Sequence, residues 1–178
     1  MEKFKNIHKN EDIYIIASGK SIDFIDKSFF DKKILLGVNQ SYKYIMPKYL
    51  IRKEHEFIDI VLKNTDENVI HFISKGNCGG LQKLINNSYK NKKNIIIFDH
   101  NNNIHDLKNL PEDNKLVVSY STITSGIHLA AYMGAKNIIL VGHDCGTING
   151  ESNFKGYYDN NINVDKNINY HNWLKEMS

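Results

Sequence analysis

Apolar residues along this chain come in short, unbroken, largely β-branched runs separated by polar stretches. Asp12 to Ile16 (DIYII), Lys33 to Val38 (KILLGV), Tyr49 to Arg52 (YLIR), Asn68 to Ile73 (NVIHFI), Asn94 to Phe98 (NIIIF) and Asn137 to Val141 (NIILV) read as strands. The continuous runs, NIILV above all, fit strands covered on both faces, the pattern of a parallel sheet. Helix-period segments lie between them: Phe57, Ile58, Val61 and Leu62; residues 81–89; and, from Ile127, the set Leu129, Ala130, Ala131 and Met133, stopped by Gly134. Leu116 to Val118 is a short apolar stretch, residues before Asp113 form a polar surface loop, and NYHNWLKEMS forms a last helix whose Trp173 and Leu174 dock on the sheet. Strand and helix in alternation predict an α/β fold, a Rossmann-like, doubly wound, mostly parallel sheet in a single domain over residues 1–178. Such sheets often continue to a final strand, so the chain reads as a version truncated at its C-terminus. No internal repeat is present.

Open α/β sheets place their chemistry beyond the carboxyl ends of the strands, which directs attention to the residues found there. The first strand runs into Ala17, Ser18, Gly19, Lys20 and Ser21, a turn whose N–H groups and hydroxyls can converge on phosphate oxygens. It is not a P-loop, because the required glycine five residues before Gly19 is Tyr14, and the glycines of a dinucleotide fingerprint are absent. Asn39, at the end of the second strand, can hydrogen-bond a base or ribose, and a plain turn role is the alternative. Thr122, Thr124 and Ser125 place hydroxyls before the apolar helix, where such residues cap, and Gly126 permits close approach to the backbone. His143 and Asp144 follow the last strand. Asp144 suits a ribose hydroxyl or Mg²⁺ there, or else organises a turn through backbone N–H groups.

Composition narrows the classes. The 41% hydrophobic and 24% charged fractions are those of a globular domain, and no apolar run nears the roughly 20 residues of a membrane span. The N-terminus lacks a secretory h-region, which predicts a cytoplasmic protein. A net charge of +3 with mixed signs argues against nucleic acid and suits a small anionic ligand. Two distant cysteines, Cys78 and Cys145, provide neither a disulfide framework nor a four-ligand zinc cluster. Asp159, Asn161 and Asn163 imitate the start of a calcium loop but lack its glycine and closing glutamate, so no metal site is assigned.

Taken together, IIASGKSID, the strand ending in VNQ, and ITSGIHLAAYMGAKNIILVGHDCG resemble the bacterial lipooligosaccharide sialyltransferases and the related MptE-like family, which includes the Maf flagellin-glycosylation proteins and archaeal 6-hydroxymethylpterin diphosphokinases. The resemblance spans roughly residues 12–146. It implies a Rossmann-like fold and a transferase that binds a nucleotide-activated, CMP-sugar-like donor and acts on a surface glycan acceptor without a metal. Carried over, the donor-binding residues are Ser18, Gly19, Ser21, Asn39, Thr124, Ser125 and Gly126. A histidine in the C-terminal part acts as base in that family, which points to His171, with Asp144 and His143 as further catalytic candidates, and Tyr157 or Tyr158 stands in for a phosphate-binding tyrosine. The chain departs from the pattern at Thr122, where the sialyltransferases carry arginine, and at Gly146, where they carry tyrosine. A diphosphokinase using ATP and Mg²⁺, and a non-catalytic nucleotide-binding domain, are the alternatives. The sequence carries no signal for oligomeric state.

Overall fold

The computed structural model describes residues 1–53, 58–75, 92–109, 111, 114–118 and 121–158. Seven strands form one sheet: β1 (Asp12–Ile16), β2 (Ile34–Val38), β3 (Tyr49–Arg52), β4 (Ile70–Ser74), β5 (Ile95–Asn101), β6 (Lys115–Val117) and β7 (Asn137–Val141). Their order is β6-β5-β4-β3-β2-β1-β7, and every pairing is parallel. The expected α/β Rossmann-like sheet is thus present, with a short seventh strand from the stretch around Leu116.

Two α-helices are described, α1 (Ile58–Lys63) and α2 (Thr122–Tyr132). The crossover from β1 to β2 uses 3-10 turns at Lys20–Phe24 and Lys27–Phe30 in place of a helix. Strand alternation sorts the apolar side chains to two faces. Ile13, Ile15, Leu36, Tyr49, Ile51, Phe72 and Phe98 pack with Ile123, Leu129 and Ala130 of α2 and with Met133 at its C-cap. Ile16 and Leu35 point the other way and meet Ile22 and Phe30 of the 3-10 segment. Steps from β1 to β6 run in one direction, whereas α2 returns the chain from β6 to the far side of β1. Because parallel crossovers are right-handed, the reversed step takes the opposite face.

Two expectations are corrected. The helix placed from Ile127 starts at Thr122, with the Ser121 hydroxyl accepting the Ile123 N–H at 3.3 Å. Thr124, Ser125 and Gly126 therefore lie inside its first turns, because a cap one residue upstream and the buried Ile123 outweigh the weak propensities of Thr, Ser and Gly. Strand β7, expected to be covered on both faces, is an edge strand among the described residues, with Leu140 40% exposed. The polar stretch after β5 also holds a 3-10 turn at Ile104–Lys108. The helices predicted over 81–89 and at the C-terminus lie outside the described residues, as do Cys78, Asp159, Asn161, Asn163 and His171.

Candidate functional site

Strand β1 sits where the direction of winding reverses, between β2 and β7. Such a reversal is where doubly wound sheets place their ligand crevice. The turns leaving β1 and β7 are tied together at its base. The Gly19 N–H donates to the Gly142 carbonyl at 2.6 Å, and a Cβ on Gly19 would stand 2.5 Å from that oxygen and 2.6 Å from the Asp144 carboxyl. Asp144 accepts the Ser21 backbone N–H at 2.8 Å and also the Ser21 hydroxyl. This carboxylate, 123 residues away in sequence, organises the first turn of Lys20–Phe24. It acts on the β1 turn rather than on the turn that follows Asp144 itself.

Lys20 sits in the GKS string but is committed elsewhere. Its ammonium pairs with Glu151 and, at 3.0 Å, with Asp23, and the hydrogen bonds to these two carboxylates raise its pKa. The segment carrying Glu151 folds back over the β1 turn. Both the Phe154 N–H (3.0 Å) and the Asn153 amide (3.3 Å) donate to the Ser18 carbonyl, and the Phe154 ring is buried beside Ile16 and Ile22. Three residues on, the Tyr157 hydroxyl meets Gln40 Oε1 at 3.1 Å, while its carbonyl accepts from Lys43. The closing segment thus bridges the β1 turn and the tip of β2.

At that tip, Asn39 adopts φ +54, a left-handed conformation that asparagine tolerates. Its N–H donates to the Ile51 carbonyl at 3.0 Å and its own carbonyl faces Arg52 Nη1 at 3.4 Å, so the backbone is held from both sides. Its side-chain Oδ1 is buried with no hydrogen-bond partner among the described residues. Such an atom costs free energy until a donor reaches it.

The remaining predicted residues separate. Ser125 is fully buried and its hydroxyl donates to the Val117 carbonyl at 2.9 Å, anchoring α2 to β6. Gly126 lies over Ile15 and Ile51, against the sheet. Thr124 is partly exposed, and Thr122 is buried at the start of α2. His143 is exposed at the tip of β7, with Nε2 3.5 Å from Cys145 Sγ. The structure therefore brings together Ser18, Gly19, Ser21 and Asp144 at the crevice base, with Asn39 at the neighbouring tip.

No protein-family model matches the chain, and no curated protein matches it. Solved structures do. The chain is similar to the sialyltransferase CstII from Campylobacter jejuni in complex with cytidine-5'-monophosphate, with a TM-score of 0.50 and 17% identity over 89% of this chain and 71% of that one. The fold is sialyltransferase-like. The same enzyme with the substrate analogue CMP-3FNeuAc gives a TM-score of 0.48 and 15% identity over 93% of this chain and 78% of that one.

Sequence reasoning marks the closing segment only through Tyr157 and Tyr158, as stand-ins for a phosphate-binding tyrosine, and misses Glu151, Asn153 and Gln40. The segment's one legible signal was the set of aromatic residues Phe154, Tyr157 and Tyr158 in an otherwise polar stretch. The described residues contain no helix long and apolar enough to cross a membrane.

Proposed function

We propose that this chain is a glycosyltransferase that takes its sugar from a nucleotide-activated, CMP-sugar-like donor bound in the crevice of β1, β2 and β7. The observation that carries this reading is Asn39: a buried acceptor with no partner among the described residues, at a strand tip beside a glycine turn. A ribose hydroxyl or the exocyclic amine of cytosine is the kind of donor that satisfies it. The likeness to CstII supports the choice of fold, and the strings IIASGKSID and ITSG support the wider kinship with MptE-like and Maf proteins.

In this reading the Ser18–Ser21 turn, held in shape by the bonds from Ser21 to Asp144, receives the phosphate on the donors those bonds leave, the Ser18 hydroxyl and the Lys20 N–H. Asp144 is a positioning residue acting through Ser21. Thr124 faces the rim, while Ser125 and Gly126 seat α2 close to the sheet. Holding donor and acceptor together and stabilising charge on the departing phosphate supply the rate enhancement. The acceptor is a glycan of the bacterial surface, and the enzyme works in the cytoplasm.

A thermal-shift panel of CMP, CDP, UDP, GDP and ATP, each with and without Mg²⁺, tests the proposal. Stabilisation by CMP without metal is the expected result. Stabilisation by ATP only with Mg²⁺ favours a diphosphokinase, and silence across the panel removes the nucleotide site altogether.

A further inference from the structure

A cavity of about 230 Å³ lies at the amino ends of β4 and β5, the opposite end of the sheet from the β1–β2–β7 crevice. Leu62 of α1 and Thr65 in the turn after it form one wall. His71, the second residue of β4, forms the floor with Asn94, which precedes β5. Asp66, Glu67 and Lys92 are exposed at the mouth. A cavity of about 150 Å³ accepts benzene, so this one has room for roughly nine non-hydrogen atoms.

The lining accepts hydrogen bonds far more than it donates them. The Thr65 hydroxyl gives its proton to the Val61 carbonyl at 2.9 Å, so His71 Nε2, 3.2 Å from that hydroxyl oxygen, is the protonated nitrogen and Nδ1 carries the lone pair. That Nδ1 has no hydrogen bond among the described residues, although His71 is only 2% exposed. Burial, then the charges of Arg52 and Lys92, lower the pKa of His71 to about 4, so the ring stays an acceptor at neutral pH. Asn94 gives both amide protons to the Glu67 and Val69 carbonyls, at 3.2 and 3.1 Å, which leaves its Oδ1 as a further acceptor. Asp66 and Glu67 add two carboxylates against the single ammonium of Lys92, so the lining carries excess negative charge. Such a surface calls for a cation rich in N–H groups. A planar guanidinium or amidinium suits it better than an ammonium, because its donors are more numerous and its fork pairs with a carboxylate through two parallel bonds.

We propose that this cavity binds a small molecule carrying a guanidinium or amidinium group, with its charge held by Asp66 and Glu67 at the mouth and its N–H groups donated to His71 Nδ1 and Asn94 Oδ1 on the floor. Arg52 and Lys92 oppose a full charge at the ring itself, so the cationic centre sits nearer the carboxylates. The site is separate from the transferase crevice and does not rest on the reading of that crevice.

Three probes of one shape and size separate charge from fit: benzamidine, benzamide and benzoate, each titrated calorimetrically into the full chain. Benzamidine, cationic at neutral pH, is expected to bind one site at least about tenfold more tightly than benzamide, and benzoate not to bind. With ¹³C-labelled histidine, saturating benzamidine should move the NMR resonance of His71, assigned with His71→Gln, and leave those of His105 and His143 in place. Asp66→Asn and Glu67→Gln change exposed residues and should each weaken binding by about three- to tenfold without a fall in melting temperature. Saturating CMP should alter the affinity by less than about twofold, as expected of uncoupled sites. Agmatine is expected to bind more tightly than N-acetyl-arginine amide, because the cavity has room for a free molecule and not for an arginine with its backbone; the reverse order makes the ligand a protein side chain and overturns the small-molecule assignment. Silence from both benzamidine and agmatine, benzoate binding as tightly as benzamidine, a His71 resonance that ignores saturating benzamidine, unchanged affinity in both carboxylate variants, or displacement of benzamidine by CMP each overturns the proposal.

Discussion

Asp144 links the two turns that frame the crevice, and its substitution separates its effects. Asp144→Asn keeps the shape but loses the charge that attracts the Ser21 N–H and hydroxyl. We expect about 1–2 kcal/mol lower stability in urea unfolding and at least tenfold weaker CMP binding; unchanged affinity would mean that the β1 turn holds its form unaided. Histidines set the acid limit of the fold. His128 accepts the Val117 N–H on Nδ1 at 2.9 Å and faces the Asn109 carbonyl with Nε2 at 2.8 Å, so only its neutral form satisfies both. Burial lowers its pKa, and burial, followed by the charges of Arg52 and Lys92, takes that of His71 to about 4. Both lie below the unfolded value of about 6.5. The unfolded chain therefore binds more protons as pH drops, so stability is full above about 6.5 and is lost on the way down to about 4. Denaturant titrations at pH 7 and pH 4.5 should differ by about 2–3 kcal/mol from His71 alone, and His71→Gln should shrink the difference.

At the scale of elements, glycines that look alike in sequence have opposite roles. A Cβ on Gly126 would sit 3.6 Å from Ile15 and 3.8 Å from Ile51, ordinary contacts, whereas one on Gly19 would collide with Gly142 and Asp144. Gly126→Ala should stabilise α2 by about 0.5–1 kcal/mol and raise the melting temperature by a few degrees; Gly19→Ala should open the β1 turn and abolish nucleotide binding. The strands were legible because parallel strands leave continuous apolar runs, and Asp12–Ile16, Tyr49–Arg52 and Asn137–Val141 fall where those runs predicted. The start of α2 was not, since Thr122 to Gly126 have the composition of a turn and become helix through the Ser121 cap and the burial of Ile123. The exposed edge of β7 was equally hidden. NIILV has the same composition whether or not a further strand covers it.

For the molecule as a whole, the candidate site depends on contacts between residues far apart in the chain, which local patterns do not encode. The sequence marked Ser18, Gly19, Ser21, Asn39 and Asp144 individually as strand-tip residues, but the bond from Ser21 to Asp144 crosses 123 positions. The closing segment was harder still, because Phe154 gains its meaning only when its N–H reaches Ser18 and its ring enters the core beside Ile16. Phe154→Ala should cost about 3–4 kcal/mol in chemical denaturation and weaken CMP binding, since it releases the segment that joins the β1 turn to the β2 tip. The most direct test of the central claim, a nucleotide crevice completed by Asn39, is calorimetric titration of CMP into the metal-free chain and into Asn39→Ala. The predicted result is saturable one-site binding by the wild type, weakened at least tenfold in Asn39→Ala without a fall in melting temperature. Absence of CMP binding, or equal affinity in the two proteins, would contradict it.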